Sequence, residues 1–74
     1  MTRLPQVSGK QLIKILEKIG YEVVRQKSSH IRMHHLTKNP ITIPDHKTIG
    51  KGLLVKILKD VELSMGEFRG LLKG

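Results

Sequence analysis

Apolar residues recur at helical spacing in two stretches of the chain. The first stretch carries apolar side chains at i, i+3, i+4 and i+7, the spacing of one face of an amphipathic helix. Ser8 and Gln11 have the spacing of a capping box, and Gly20 suits a left-handed C-terminal cap. The pattern predicts a helix of about three turns between these signals. Its apolar stripe is Leu12, Ile15, Leu16 and Ile19.

The second stretch repeats the same stripe near the C-terminus. It follows a loop over Asp45–Gly50 and predicts a second amphipathic helix. Ser64 and Glu67 then form another capping-box spacing, which predicts a short third helix that continues to Gly74. The apolar residues of these two helices are Leu54, Ile57, Leu58, Val61, Phe68, Leu71 and Leu72.

Between the helices the pattern changes to that of β-strands. Residues 21–26 are rich in β-branched and aromatic types and predict a first strand. A polar turn at residues 27–29 leads into a second strand from His30 to Leu36. Residues 37–40, which end in Pro40, form a second turn. Ile41–Ile43 is a short third strand that stops at Pro44, so the strands form an antiparallel meander.

These elements predict one α+β domain over residues 1–74. It has two layers, in the order helix, three-stranded antiparallel meander, helix, with a short C-terminal helix. Both helical stripes are expected to cover one face of the sheet. The period of two along a strand places Ile31 and Met33 in the core and His30, Arg32 and His34 on the open side. His35, on the core-facing side by the same parity, is expected to be structural.

The charge of the chain points to a polyanionic partner. The formal net charge is +8 on 74 residues, which favours nucleic acid as the first candidate. Two segments contain several basic residues and no acids, from Glu22 to Asp45 and from Asp45 to Asp60. Tyr21 and Phe68 are the only aromatic residues, so binding is expected to depend on phosphates rather than on aromatic stacking.

Cysteine content and hydropathy indicate the compartment. The chain has no Cys, which fits a reducing cytoplasm. No apolar run reaches the length of a bilayer span, and the N-terminus lacks a signal-peptide pattern. We therefore expect an unprocessed, soluble cytoplasmic protein with no membrane partner.

The histidines carry the chemistry that the sequence allows. His30 and His34 are about 13 Å apart if they lie on one strand, too far for one metal ion to bridge them. The sequence therefore predicts neither a metal nor another cofactor. It also contains no Gly-rich phosphate loop and no paired carboxylates, so any acid–base chemistry must involve histidine.

His30 follows the Ser28–Ser29 turn, whose amides and Ser29 hydroxyl can meet a phosphate. A base at this position can remove the proton of an RNA 2′-hydroxyl, which then attacks the adjacent phosphate. Spacing alone favours an ordinary surface histidine at this position over a catalytic base. His46 is compatible with a substrate contact and with a plain loop residue, and the sequence does not separate the two.

Taken in order, several segments resemble the HicA-type mRNA interferase toxins of toxin–antitoxin pairs. The resemblance implies a fold similar to a double-stranded RNA-binding domain and cleavage of mRNA without the ribosome. It also implies that the histidine at the turn-to-strand junction, here His30, is catalytic, and that a HicB-type antitoxin is the partner. The segments are Ser8–Lys10, Ile19–Val24, Ser29–His35, Ile43–His46 and Lys51–Leu53.

The chain departs from the family pattern at Ser28, where the family commonly has Gly. If the turn needs a positive φ there, Ser28 strains it and displaces His30. The residues expected to contact RNA share a position on or beside the two basic segments. They are Arg25, Lys27, Ser28, Ser29, Arg32, His34, His46, Lys47 and Lys51.

A second function fits the same residues. In this alternative the chain is a non-catalytic double-stranded RNA-binding module, and His30 is only a contact. Such modules carry a lysine cluster at the second helix, and Lys51, Lys56 and Lys59 are spread around this one. A protein–protein adaptor is a third reading, which the charge makes less favourable.

Overall fold

The computed structural model describes residues 4–73, and its elements follow the predicted order of helix, three strands and two helices. This confirms the α+β class with two layers and a short C-terminal helix. Gly74, the predicted last residue of the third helix, lies outside the described residues. The elements are α1 (Gly9–Lys18), β1 (Glu22–Lys27), β2 (His30–His34), β3 (Ile41–Pro44), α2 (Lys51–Asp60) and α3 (Met65–Lys73).

Four strand boundaries differ from the prediction, and one of them is the end of β3, which includes Pro44. Two of the others differ because aromatic side chains at one end of the sheet turn inward. The first strand begins at Glu22 and not at Tyr21, which is buried and donates its hydroxyl proton to the Asn39 carbonyl oxygen at 2.8 Å. The second strand ends at His34 and not at Leu36, because the His35 ring bonds the carbonyl of Ile19. The first turn is shorter than predicted, since Lys27 still belongs to β1.

The three strands form one antiparallel sheet in the order β1, β2, β3. The helices cover one face of it, and the predicted stripes of α1 and α2 form the core with alternate residues of β2 and β3. From these strands the core takes Ile31, Met33, Ile41 and Ile43, all buried. The side chains of β1 are exposed along the whole strand.

The helix ends carry the predicted caps. The capping boxes of Ser8 with Gln11 and of Ser64 with Glu67 are both formed. The hydrogen bonds that Glu67 accepts from the Ser64 backbone and side chain lower the pKa of its carboxyl group.

The helices α1 and α2 end in the same hydrogen-bonding pattern. Each has the paired bonds of a Schellman motif, from Tyr21 N to Leu16 O and Gly20 N to Glu17 O, and from Leu63 N to Leu58 O and Glu62 N to Lys59 O. The left-handed position is Gly20 in α1, with φ 104°, and Glu62 in α2, with φ 56°. None of the helices described between residues 4 and 73 is long and apolar enough to cross a membrane.

Candidate nucleic-acid interface

A β-bulge in β1 decides which side chains meet on the sheet. Val23 lies opposite Met33 and Arg25 lies opposite Arg32, so Val24 is one extra residue in β1. Because side chains alternate along a strand, an extra residue reverses the face on which the following residues lie. The alternation of β1 side chains between the two faces of the sheet therefore shifts by one residue at the bulge.

The bulge brings basic residues together on the helix-free side of the sheet, which we call the open face. Lys27 pairs with His30 and Arg25 pairs with Arg32, so both pairs share the open face. Like charges directly opposite one another on a sheet are destabilising. Such a pair favours an anion between the two side chains. The open-face residues are Glu22, Arg25, Lys27, His30, Arg32, His34 and Thr42.

The Ser28–Ser29 turn sets the position of His30. It is a two-residue connection between β1 and β2, and such turns need a positive φ at their first residue. Ser28 has φ 56°. The turn therefore has the positive φ that is costly for a residue other than glycine. His30 is exposed and pairs with Lys27 on one side and Pro44 on the other.

Backbone contacts fix this turn to the rest of the fold. The Asp45 amide donates to the Ser29 carbonyl at 2.7 Å, and the Gly9 amide donates to the His46 carbonyl at 2.9 Å. Gly9 is buried, and a Cβ at this position would overlap the carbonyl oxygen of Pro44. The start of α1 therefore packs against the end of β3 and the residues after it. Asp45, directly after β3, in turn holds Ser29, the residue before His30.

Both α1 and α2 begin at this end of the sheet, which we call the His30 end. Neither helix has an acidic residue in its first turn, although acids are favoured there by the helix dipole. Lys10 and Lys51 occupy those turns instead, and both are exposed. Helix N-termini and exposed lysines add to the positive potential at the His30 end.

The structure places His30 and most of the predicted RNA-contacting residues in two groups, and Lys51 and His34 lie apart from them. The first group, at the His30 turn and on the open face, is Arg25, Lys27, Ser28, Ser29, His30 and Arg32. His46 and Lys47 form the second group in the loop after β3, with exposed side chains at the His30 end. Lys51 is apart from the open face, beside a cleft of about 460 Å³ that Leu4 and Pro5 also line.

His34, the remaining predicted contact, does not share a site with His30. It is on the open face but four residues further along β2, and it pairs with Glu22. These two residues line a second cleft, of about 410 Å³, with Leu36. Within residues 4–73, no group of three or more His, Asp and Glu side chains is close enough together to hold a metal ion.

His35 has the structural role that its parity predicts. Its Nε2 lies 2.9 Å from the Ile19 carbonyl oxygen, and its Nδ1 accepts the amide protons of Thr37 at 3.1 Å and Lys38 at 3.2 Å. The acceptor role of Nδ1 places the ring proton on Nε2, which donates to Ile19. The ring also packs at 4.8 Å from the Tyr21 ring. These contacts join the end of α1 to the loop between β2 and β3.

Three features of the interface have no clear signal in the sequence. The bulge at Val24 follows no glycine or proline, so the sequence of β1 does not indicate that the side-chain alternation shifts there. Gly9 occurs inside a helix start that Ser8 already explains. Glu22 and the cleft around it depend on a pairing across the sheet, which only the structure gives.

Comparison with known proteins gives one family. A family model described as the HicA toxin of bacterial toxin–antitoxin matches residues 9–63, which is most of the chain and includes both α1 and α2. No curated protein and no solved structure matches significantly.

Proposed function

The chain belongs to the HicA toxin family, and we propose that it is the toxin of a type II toxin–antitoxin pair, an endoribonuclease that cleaves mRNA in the cytoplasm. In this proposal the chain acts as a single RNA-binding and ribonuclease domain over residues 1–74, and it needs no metal ion. One observation carries the proposal. His30 is an exposed imidazole that strand pairing fixes on both sides, opposite Lys27 and on the same face of the sheet as Arg25 and Arg32.

His30 acts as the base in this reaction. It removes the proton of the 2′-hydroxyl beside the scissile phosphate, and the 2′-oxygen forms a bond to phosphorus. The bond between phosphorus and the 5′-oxygen breaks, and the departing oxygen takes up a proton from water, which leaves a 2′,3′-cyclic phosphate. A positioned proton-transfer group contributes about 10²- to 10⁴-fold to such a reaction.

The cations near His30 hold the RNA and stabilise the transition state. Arg25, Lys27 and Arg32 meet the phosphates on the open face, and the Ser28 and Ser29 turn supplies hydrogen-bond donors beside the reacting phosphate. His46, Lys47 and Lys51 extend the contact around the His30 end. Since these are phosphate contacts, RNA affinity is expected to fall steeply with salt.

The experiment that tests the proposed function uses RNA in the presence of a chelator. Wild-type protein should produce fragments that end in a 2′,3′-cyclic phosphate, because the 2′-oxygen is the nucleophile. RNA with 2′-deoxy sugars should bind but stay intact. Binding without any cleavage of ordinary RNA would contradict the proposal and support the non-catalytic double-stranded RNA-binding module.

Membership of the family also implies an antitoxin partner. We propose a HicB-type protein that covers the open face, with acidic side chains opposite Arg25, Lys27 and Arg32. Arg25→Glu should then weaken RNA and antitoxin binding together, whereas Lys14→Glu on the exposed surface of α1 should have a smaller effect on both. Normal antitoxin affinity of Arg25→Glu, with RNA binding lost, would show that the antitoxin binds elsewhere.

A further inference from the structure

A cleft lies at the end of the sheet opposite to the His30 end. It has a volume of about 410 Å³ and is lined by Gly20, Glu22, His34, His35 and Leu36. His34 is four residues from His30 along β2, a distance of about 13 Å in an extended strand. An RNA strand held at His30 therefore reaches this cleft a few nucleotides away from the scissile phosphate.

The walls of the cleft suit the flat face of a nucleobase. Leu36 is fully exposed, with a relative accessibility of 100%, so its apolar side chain is available to a ligand. The imidazole of His35 is held rigid by its bonds to Ile19 and Lys38, and the exposed side chain of His34 also lines the cleft. Bases of single-stranded RNA are bound by stacking on such rings and apolar groups.

Glu22 gives the cleft its chemical selectivity. It is the one acidic residue in the three described strands, and its carboxylate has no hydrogen-bond or ion-pair partner among the described residues. A carboxylate repels phosphates but accepts hydrogen bonds from the edge of a base. Glu22 is therefore suited to contact a base, whereas the cationic residues of the open face are suited to contact phosphates.

Guanine is the base whose edge matches a carboxylate. Its Watson–Crick edge presents the N1 and N2 donors side by side, so both carboxylate oxygens accept a proton. Adenine and cytosine each present one amino group next to a ring nitrogen that is an acceptor, and uracil presents one N–H between two carbonyl oxygens. Each of these three would place an acceptor against the carboxylate.

We propose that this cleft binds a guanine base of the RNA substrate, with Glu22 bonded to the guanine N1 and N2 donors. The proposal rests on the proposed function, because it makes this guanine the determinant of where the RNA is cut. Cleavage then occurs at a fixed spacing of a few nucleotides from the guanine. Leu36 and His34 contact the base, and Glu22 determines its identity.

The test measures binding and cleavage separately. Short 2′-O-methyl oligouridines, which lack the nucleophile, carry one guanine, inosine, adenine or cytosine at the centre. Wild-type protein should bind the guanine oligonucleotide roughly tenfold more tightly than the adenine one, the discrimination expected of one bidentate contact. Inosine, which lacks the N2 amino group, should lose most of that preference.

Two variants with the same change of charge complete the test. Glu22→Gln should abolish the guanine preference, whereas Glu17→Gln, which neutralises an exposed carboxylate on α1, should retain it. Equal binding of all four bases by wild type, a preference for another base, or an unchanged preference in Glu22→Gln would overturn the proposal.

The outcomes separate this proposal from the proposed function. With ordinary RNA, cleavage that ignores guanine would overturn the cleft as a specificity site and leave the endonuclease in place. Guanine-selective binding by a protein that never cleaves RNA would support the cleft and contradict the endonuclease.

Discussion

The two ends of the sheet are built in opposite ways. At the His30 end, the loops are held by backbone hydrogen bonds, and the side chains of His30, His46 and Lys47 are left exposed. At the other end, which we call the His35 end, side chains make the connections. His35 bonds Ile19, Tyr21 bonds Asn39, and Lys38 donates to the Val61 carbonyl at 2.8 Å.

The electrostatics of the two ends also differ. The N-termini of α1 and α2 lie at the His30 end with lysines in their first turns, whereas their C-termini lie at the His35 end. At the His35 end, burial and the charges of Asp60 and Glu62 raise the pKa of the Tyr21 hydroxyl. Side-chain contacts therefore join the layers at the His35 end, whereas backbone hydrogen bonds join them at the His30 end and leave its basic side chains accessible.

The largest loss of stability is expected at Gly9, where α1 contacts the His30 end. Gly9→Ala places a Cβ against the Pro44 carbonyl oxygen, and the backbone must move because neither group is flexible. Unfolding should become easier by about 2–3 kcal/mol. Cleavage per folded molecule should also fall, since the Asp45–Ser29 hydrogen bond positions His30.

Gly52→Ala is the matched control for Gly9→Ala. An added Cβ at Gly52, in the first turn of α2, meets nothing within 4 Å, and alanine favours the helix. Thermal unfolding of the two variants should move in opposite directions. A Gly9→Ala protein that melts and cleaves like wild type would show that α1 does not support the His30 turn.

His35→Ala should separate stability from chemistry at the other end. Its loss leaves the Ile19 carbonyl and the amides of Thr37 and Lys38 without their partner, at a cost of about 1–2 kcal/mol. The melting temperature should fall, while the folded fraction should still cleave RNA, because His30 lies at the opposite end of the sheet. His34→Ala, which removes an exposed imidazole next to it in sequence, should leave the melting temperature almost unchanged.

The smallest effects concern the two left-handed residues, Ser28 and Glu62, which both have φ 56°. Replacing either by Gly removes the steric cost of that conformation and should stabilise the fold by about 0.5–1 kcal/mol. Only Ser28→Gly should also raise the cleavage rate, because its turn precedes His30, whereas Glu62 ends α2 at the His35 end. Equal cleavage by both variants would show that strain at Ser28 does not limit His30.

The sequence predicts the elements better than it predicts the interface. Helical stripes and capping boxes are local patterns, so Ser8, Gln11 and Gly20 mark α1 without knowledge of the fold. Strand parity likewise places His30, Arg32 and His34 correctly on β2.

Features that depend on pairing across the sheet cannot be predicted from the local sequence pattern. The bulge at Val24 reverses parity in β1, so alternation alone would not place Arg25 and Lys27 beside Arg32 and His30. The contact of Gly9 with Pro44 joins residues that are far apart in the chain. The pattern that predicts the start of a helix does not indicate such a contact. The second strand is short for the same reason, since His35 leaves it to bond Ile19.

The most direct test of the account compares RNA cleavage and thermal unfolding of wild type and His30→Ala in the presence of a chelator. Because His30 is exposed, its loss should change the free energy of unfolding by no more than about 0.5 kcal/mol. RNA binding should persist, since arginines and lysines make the phosphate contacts. Cleavage should fall by about 10²- to 10⁴-fold, and full cleavage by a folded His30→Ala protein would contradict the catalytic role of His30.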